Sequence, residues 1–107
     1  MSLWRKIAVE KNEKIIIEEK ISNGKLLYIY FLEPLNKEKI GKIQICGDFF
    51  LHPEEKIEEI ERIVEMQKIT ITEDELSKLI EKVIEKSEVV GFNANDISRL
   101  VKRGRKQ

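Results

Sequence analysis

Hydrophobic and polar residues follow a strand-like pattern in the first half of the chain. Residues 14–21 (KIIIEEKI) are rich in isoleucine, and residues 25–33 (KLLYIYFLE) are almost continuously aliphatic or aromatic. Branched and aromatic side chains favour the pleated surface of a sheet. In residues 40–46 (IGKIQIC) apolar and polar positions alternate, as they do in a strand with one buried face. The pattern predicts three strands, with a further short strand near residues 4–9.

The connections between these strands are short and predict an antiparallel meander. Ser22, Asn23 and Gly24 separate the first two strands, and Asn-Gly readily takes the positive φ of a tight hairpin turn. Residues 34–39 (PLNKEK) form a polar loop before the third strand. Sequential strands with short connections usually pair with each other.

The second half of the chain has the period of amphipathic helices. A first helix is predicted over residues 53–66, because Pro53 suits a first helical position and isoleucines then recur on one face. The opposite face holds Glu58, Glu61, Arg62 and Glu65. That acidic face is either solvated or able to bind a cation.

Two more helices follow. Thr72 and Glu75 have the spacing of a capping box, which predicts a second helix over about residues 73–87. A short third helix is predicted from about residue 95 to residue 102. A strand meander followed by helices predicts an α+β fold, with a three-stranded antiparallel sheet packed against two to three helices.

We expect one domain over residues 1–107, because 107 residues and 12.6 kDa fit a single core. Residues 1–47 are mainly strands, residues 48–103 mainly helices, and residues 104–107 form a basic tail. No apolar run approaches a membrane span and no signal peptide is recognisable, so we expect a soluble, cytoplasmic protein with no membrane partner.

The scarcity of cysteine and histidine excludes several kinds of site. Cys46 is the single cysteine and His52 the single histidine, so neither an intramolecular disulfide nor a cysteine zinc cage can form. Cys46 is either a small core residue or a nucleophile. His52 has either a local role at the start of the first helix or a catalytic one.

Charge is balanced over the whole chain but is unevenly distributed. The chain has 20 Lys and Arg and 20 Asp and Glu, yet residues 48–96 carry a net charge of −8 and residues 97–107 a net charge of +5. The acidic middle argues against a nucleic-acid binder. The basic end either contacts phosphate or is a solvated terminus.

The segment between the third strand and the first helix has an unusual composition. Gly47 permits a sharp turn or a close backbone approach, and Asp48 lies where a carboxylate can accept hydrogen bonds from a turn or a helix start. Phe49 and Phe50 are adjacent, and neighbouring side chains of an extended segment point to opposite sides. We therefore expect one phenylalanine to be buried and the other to be partly exposed, or covered by a partner or ligand. The alternative is a purely structural corner.

These residues resemble a known family. Residues 47–55 (GDFFLHPEE) are similar to the hallmark of the C-terminal accessory domain of lipoate–protein ligases, in its archaeal form. A second match lies upstream, where Lys20, Gly24 and Lys25 fall at the spacing of that domain's Lys, turn and Gly-Lys-Leu. The usual Pro and Gly of the turn are replaced by Ser and Asn. With the short Gly-Lys-Ile match at residues 41–43, the resemblance covers residues 20–61.

The resemblance implies a role in a two-step reaction. In that family ATP activates lipoate as lipoyl-adenylate, and a lysine of a carrier domain then takes the lipoyl group. The Arg-rich, Gly-rich loop and catalytic lysine of the catalytic domain are not found in this chain. The chain thus resembles the split form, an accessory subunit that forms a heterodimer with a separate catalytic subunit, and lipoyl carrier domains are indirect partners.

The resemblance also implies an iron–sulfur scaffold fold, no catalytic residue and no cofactor held by this chain alone. ATP, Mg and lipoate are used by the assembled enzyme. The residues expected to face the partner or a ligand are Lys20, Gly24, Lys25, Gly47, Asp48, Phe49, Phe50 and His52. The alternative function is a non-catalytic scaffold or interaction domain that serves another enzyme.

Overall fold

The computed structural model describes residues 15–20, 26–33 and 38–105, with the backbone alone for residues 15–20. This part of the chain forms five strands and three helices. They are β1 (Ile15–Lys20), β2 (Leu26–Phe31), β3 (Ile43–Gly47), β4 (Phe50–His52), α1 (Lys56–Glu65), α2 (Glu73–Ile84), β5 (Glu88–Val90) and α3 (Ala94–Gly104). The predicted strand near residues 4–9 and the predicted hairpin turn at residues 22–24 lie outside the described residues.

The first sheet has the order β1-β2-β3, and both pairs are antiparallel. Buried and half-buried residues alternate along β2, with Leu27, Ile29 and Phe31 buried against the helices. This alternation follows from the two-residue period of a strand, which sends successive side chains to opposite faces. The core therefore lies between this sheet and the helical layer.

A second sheet corrects the fold class expected from the sequence. β4 pairs with β5 in an antiparallel sheet of two strands, separate from the first sheet. The expected fold class, in which one three-stranded antiparallel sheet packs against the helices, is therefore wrong because it lacks this second sheet. The structure does not show the iron–sulfur scaffold fold that the resemblance implied. The described architecture is α+β, with two antiparallel sheets and three helices.

The second sheet also explains why α1 begins later than predicted. Residues 50–52 are held in β4, so the chain needs a turn before a helix can start, and α1 begins at Lys56 instead of Pro53. The capping box of Thr72 and Glu75 is confirmed at the start of α2, and α3 has an equivalent box. No helix in the described part of the chain is both long and apolar enough to cross a membrane.

Two carboxylates of the acidic face of α1 contact backbone N–H groups. Glu61 is buried and its Oε2 accepts a hydrogen bond of 2.7 Å from the N–H of Ile45. Glu65, one turn later, accepts a bond of 3.2 Å from the N–H of Ile43. Both carboxylates satisfy N–H groups on the outer edge of β3. Among the described residues, no group of three or more His, Cys, Asp or Glu side chains is arranged to hold a metal ion.

Arg105, assigned to the basic tail from the sequence, is buried. Its Nε donates to the carbonyl of Ile40 at 3.1 Å, its Nη2 donates to the carbonyl of Glu33 at 2.7 Å, and its guanidinium lies 4.5 Å from the centre of the Phe31 ring. Burial lowers the pKa of this guanidinium, and the charge of Glu33 opposes that shift. Arg105 therefore fixes the end of α3 to the first sheet and is not a solvated residue.

Candidate functional site

The strand register brings the two sequence motifs to the same end of the first sheet. Lys20 at the end of β1 is opposite Leu26, and Leu27 in turn is opposite Gly47. The N–H of Asp48 donates to the carbonyl of Leu26 at 3.0 Å. The backbone of Lys20 and the Gly-Asp-Phe-Phe segment are thus separated by one strand. Gly24 and Lys25 lie outside the described residues.

Gly47 is required by a close backbone approach. A Cβ at this position would lie 2.5 Å from the carbonyl oxygen of Leu26 and 3.2 Å from the Cα of Leu27. Both atoms belong to the backbone of β2 and cannot move aside as a flexible side chain could. The absence of a side chain therefore lets the end of β3 lie directly against the start of β2.

Asp48 is exposed, and it is remote in sequence from the helix it was expected to cap. The first N–H groups of α1, at Lys56 and Ile57, donate to the carbonyls of Pro53 and Glu54 in the preceding turn. These groups do not depend on the Asp48 carboxylate. The backbone N–H of Asp48 bonds to β2 and continues the strand pairing beyond β3.

The two phenylalanines of the motif point to opposite sides, as predicted. Phe49 is 3% exposed and meets the ring of Phe92 edge-on, with 4.9 Å between ring centres and 82° between ring planes. Phe50 is only half-buried, and its ring lies nearly parallel to that of His52 with 6.4 Å between the centres. Phe49 belongs to the core, whereas Phe50 is accessible.

Phe50 and His52 share one face of the second sheet with two residues that the sequence did not single out. In the register of this sheet, Phe50 is opposite Val90 and His52 is opposite Glu88. Val90 is 57% exposed, which is unusual for a large hydrophobic residue. We call the face formed by Phe50, His52, Glu88 and Val90 the outer face. The buried Leu51 lies between Phe50 and His52 on the opposite side.

The outer face is placed by a backbone contact at Gly91. This glycine has a φ of +105°, and a Cβ there would lie 2.9 Å from the Cβ and 3.1 Å from the Cα of Phe49. The end of β5 therefore rests on the buried phenylalanine of the motif. A signal for this contact exists in the sequence, where two valines are followed at once by a glycine, but it does not identify the partner strand.

The lone cysteine and the lone histidine are separated by burial. Cys46 is 1% exposed within β3, whereas His52 is exposed on the outer face. A nucleophilic pair needs both side chains at one accessible surface. This placement favours a core role for Cys46, and His52 lies on a strand and not at the start of α1.

A shallow cavity lies at the other end of the first sheet. It has a volume of about 360 Å³ and is lined by Glu33, Lys39, Gly41, Lys42 and Glu65. One of its carboxylates, Glu65, is engaged with the backbone of β3, and another, Glu33, accepts a hydrogen bond from the N–H of Lys42. Of the residues expected to face a partner or ligand, none that the structure describes with its side chain lines this cavity.

Comparison with solved structures identifies a similar chain. The chain shares its fold with part of an archaeal lipoylation system. That system, from Thermoplasma acidophilum, is described as a bipartite lipoate protein ligase and its E2 lipoyl domain. The superposition has a TM-score of 0.65 at 20% sequence identity and covers 83% of this chain and 94% of the other. No protein-family profile and no curated protein matches the sequence.

The match extends over most of both chains. Because 94% of the other chain is included, the two chains have similar lengths and share most of their architecture. At 20% identity the likeness concerns the fold.

Proposed function

We propose that this chain is the accessory subunit of a two-chain lipoate–protein ligase. It binds a separate catalytic subunit and is required for the ATP-dependent activation of lipoate before transfer to a carrier-domain lysine. The observation that carries the proposal is the shared fold, over most of both chains, with part of a bipartite lipoate protein ligase system. The Gly-Asp-Phe-Phe motif supports it independently, because the motif was found in the sequence without reference to that fold.

The reaction forms an intermediate that a second chain can protect from water. The lipoate carboxylate attacks the α-phosphorus of ATP and pyrophosphate leaves, which forms a mixed anhydride. The amine of the carrier lysine then attacks the acyl carbon, and AMP leaves. Water competes with that amine, so a chain that closes over the anhydride protects it. In this proposal ATP, Mg and lipoate are held by the assembled enzyme, which we expect in the cytoplasm.

The arrangement of the motifs is suitable for this role. The backbone of Lys20 and the Gly-Asp-Phe-Phe segment lie at one end of the first sheet, one strand apart. The segment is held by close approaches at Gly47 and Gly91 and by the buried ring of Phe49. A rigid element of this kind can close on a partner with little loss of conformational entropy.

Reconstitution tests the proposal. The purified chain is mixed with a catalytic subunit that lacks an accessory domain, taken from the same source organism, together with ATP, Mg, lipoate and an unmodified lipoyl carrier domain. Mass spectrometry of the carrier domain and release of pyrophosphate are measured. We expect modification when both chains are present and little or none with either chain alone.

Two controls separate the role of this chain from unrelated activity. A carrier domain whose acceptor lysine is replaced must remain unmodified in the complete mixture. Omission of ATP must abolish both signals. Equal modification with and without this chain would refute the proposal, as would an inactive mixture of the two chains.

A further inference from the structure

The outer face of the second sheet has apolar side chains at its centre that are accessible from outside the molecule. Phe50 and Val90 lie opposite each other on neighbouring strands, and the ring of His52 lies nearly parallel to that of Phe50 along β4. Val90 and Met66 are the large hydrophobic residues that are most exposed in the described part of the chain. Met66, at 68% exposure, directly follows the last residue of α1.

The support beneath the outer face is rigid. Leu51 on the inner side of β4 is buried. Phe49, the residue immediately before β4, is packed against Phe92. Gly91 holds the end of β5 against the same phenylalanine. Side chains on such a support are preorganised, which is the usual condition for a tight contact between proteins.

The surroundings of the outer face are acidic. Residues 48–55 and 85–90 contain five carboxylate side chains and one lysine, and all six are exposed. They are Asp48, Glu54, Glu55, Glu85, Glu88 and Lys86. Along both strands the apolar centre is thus flanked in sequence by predominantly negative segments, which we call its acidic border, and such a pattern selects the charge of whatever covers the face.

We propose that the outer face is the surface on which a partner protein docks, and that the partner presents an apolar centre bordered by Lys and Arg. This inference rests on the proposed function, under which the partner is the catalytic subunit. The four residues are too few to form a stable interface alone. They are its central contact, within a larger area of roughly 800 Å² on each partner.

Charge argues against a second copy of this chain as the occupant. In a twofold-symmetric dimer the same face meets itself, so the acidic border of one copy would lie against the acidic border of the other. Like charges at an interface disfavour association and are a common means of excluding a wrong partner. A basic border on the partner gives the complementary arrangement.

A pair of matched substitutions tests this surface. Val90→Lys places a long cation in the centre of the outer face, and Met66→Lys makes the same change at the other exposed hydrophobic residue. Affinity for the catalytic subunit is measured by titration calorimetry, and thermal melting verifies that each variant is folded. We expect Val90→Lys to raise the dissociation constant by about tenfold or more, as central interface residues do. Met66→Lys should stay within about twofold of the wild type.

Two further variants extend the test. Val90→Thr keeps the β-branched shape and replaces one methyl group with a hydroxyl, so it preserves β5 if the lysine disrupts folding, and it should weaken binding several-fold. Glu88→Lys should slow association at low salt and make the association rate less dependent on ionic strength.

The outcomes distinguish this inference from the proposed function. If the wild type binds the catalytic subunit and neither variant at Val90 weakens binding by more than about twofold, the docking surface is refuted while the function stands. If the wild type does not bind at all, both are refuted. If light scattering shows a wild-type dimer that Val90→Lys converts to a monomer without loss of catalytic-subunit binding, the occupant is a second copy and the proposal is overturned.

Discussion

Replacing Phe49 and Phe50 by alanine, one at a time, measures how much more the buried ring contributes to stability than the accessible ring. Phe49→Ala removes a ring that is 3% exposed and edge-on to Phe92. Phenylalanine-to-alanine changes in a core cost about 3–5 kcal/mol, of which the aromatic pair accounts for about 0.5–1.5 kcal/mol. A domain of this length has a total stability of about 5–15 kcal/mol, so Phe49→Ala removes a large share of it.

Phe50→Ala is the matched control, because it deletes the same ring one residue later. Phe50 is half-buried, and its described contacts are the parallel ring of His52 and the cross-strand position of Val90. Cross-strand pairs contribute about 0.2–1 kcal/mol, and the lower strand propensity of alanine adds up to about 1 kcal/mol. We therefore expect a cost of about 1–2 kcal/mol, lower than that of Phe49→Ala by about 2–3 kcal/mol.

Urea unfolding followed by far-ultraviolet circular dichroism measures this difference. With an m value of about 1–3 kcal/mol per molar urea, the two midpoints should differ by about 1–3 M, and the slopes should be equal. Equal midpoints, or a lower midpoint for Phe50→Ala, would refute the assignment of Phe49 to the core and Phe50 to the surface.

Three further predictions concern single features of the chain. Gly91→Ala should lower the free energy of unfolding by about 2–4 kcal/mol in the same assay, because the positive φ is strained for alanine and the new methyl group contacts a packed phenylalanine. Glu61→Ala should cost about 1–3 kcal/mol by leaving a strand N–H group unpaired, while the exposed Glu58→Ala on the same helix should stay within about 0.5 kcal/mol; equal costs would contradict the buried hydrogen bond. Lys20→Ala combined with Lys25→Ala should lower carrier modification by the reconstituted ligase without lowering the melting temperature, and unchanged activity would assign both lysines to solvent.

Local signals in the sequence predicted the elements they control. The start of α2 followed from Thr72 and Glu75, because a capping box depends on residues within one helical turn. The opposite placement of Phe49 and Phe50 followed from the geometry of an extended chain, which needs no tertiary information. Both features are confirmed because their causes lie within a few residues.

The second sheet could not be predicted in this way. β4 and β5 have three residues each, which is too short for a recognisable alternation, and each depends on a partner that is distant in sequence. The missed pairing has further effects. Because of this pairing, α1 begins later in the sequence than predicted. The pairing also brings Glu88 and Val90 beside the motif, so the sequence alone did not identify these two residues of the outer face.

The polar face of α1 shows a different limit of pattern analysis. Glu61 and Glu65 have the helical spacing of a solvated stripe, and the sequence alone does not distinguish a carboxylate that faces water from one that faces backbone N–H groups. The distinction depends on the distance between α1 and the outer edge of β3. That distance is a property of the packed molecule.

The carboxylates of α1 have a consequence for the behaviour of this chain at high concentration. An outer strand with open N–H groups is a template on which another molecule can add a strand, and such additions lead to aggregation. At β3 the N–H groups of Ile43 and Ile45 are already paired with Glu65 and Glu61 of the same chain. An incoming strand would have to displace two negatively charged acceptors, one of them buried. At these two positions the outer edge of β3 is therefore not available for the addition of another strand.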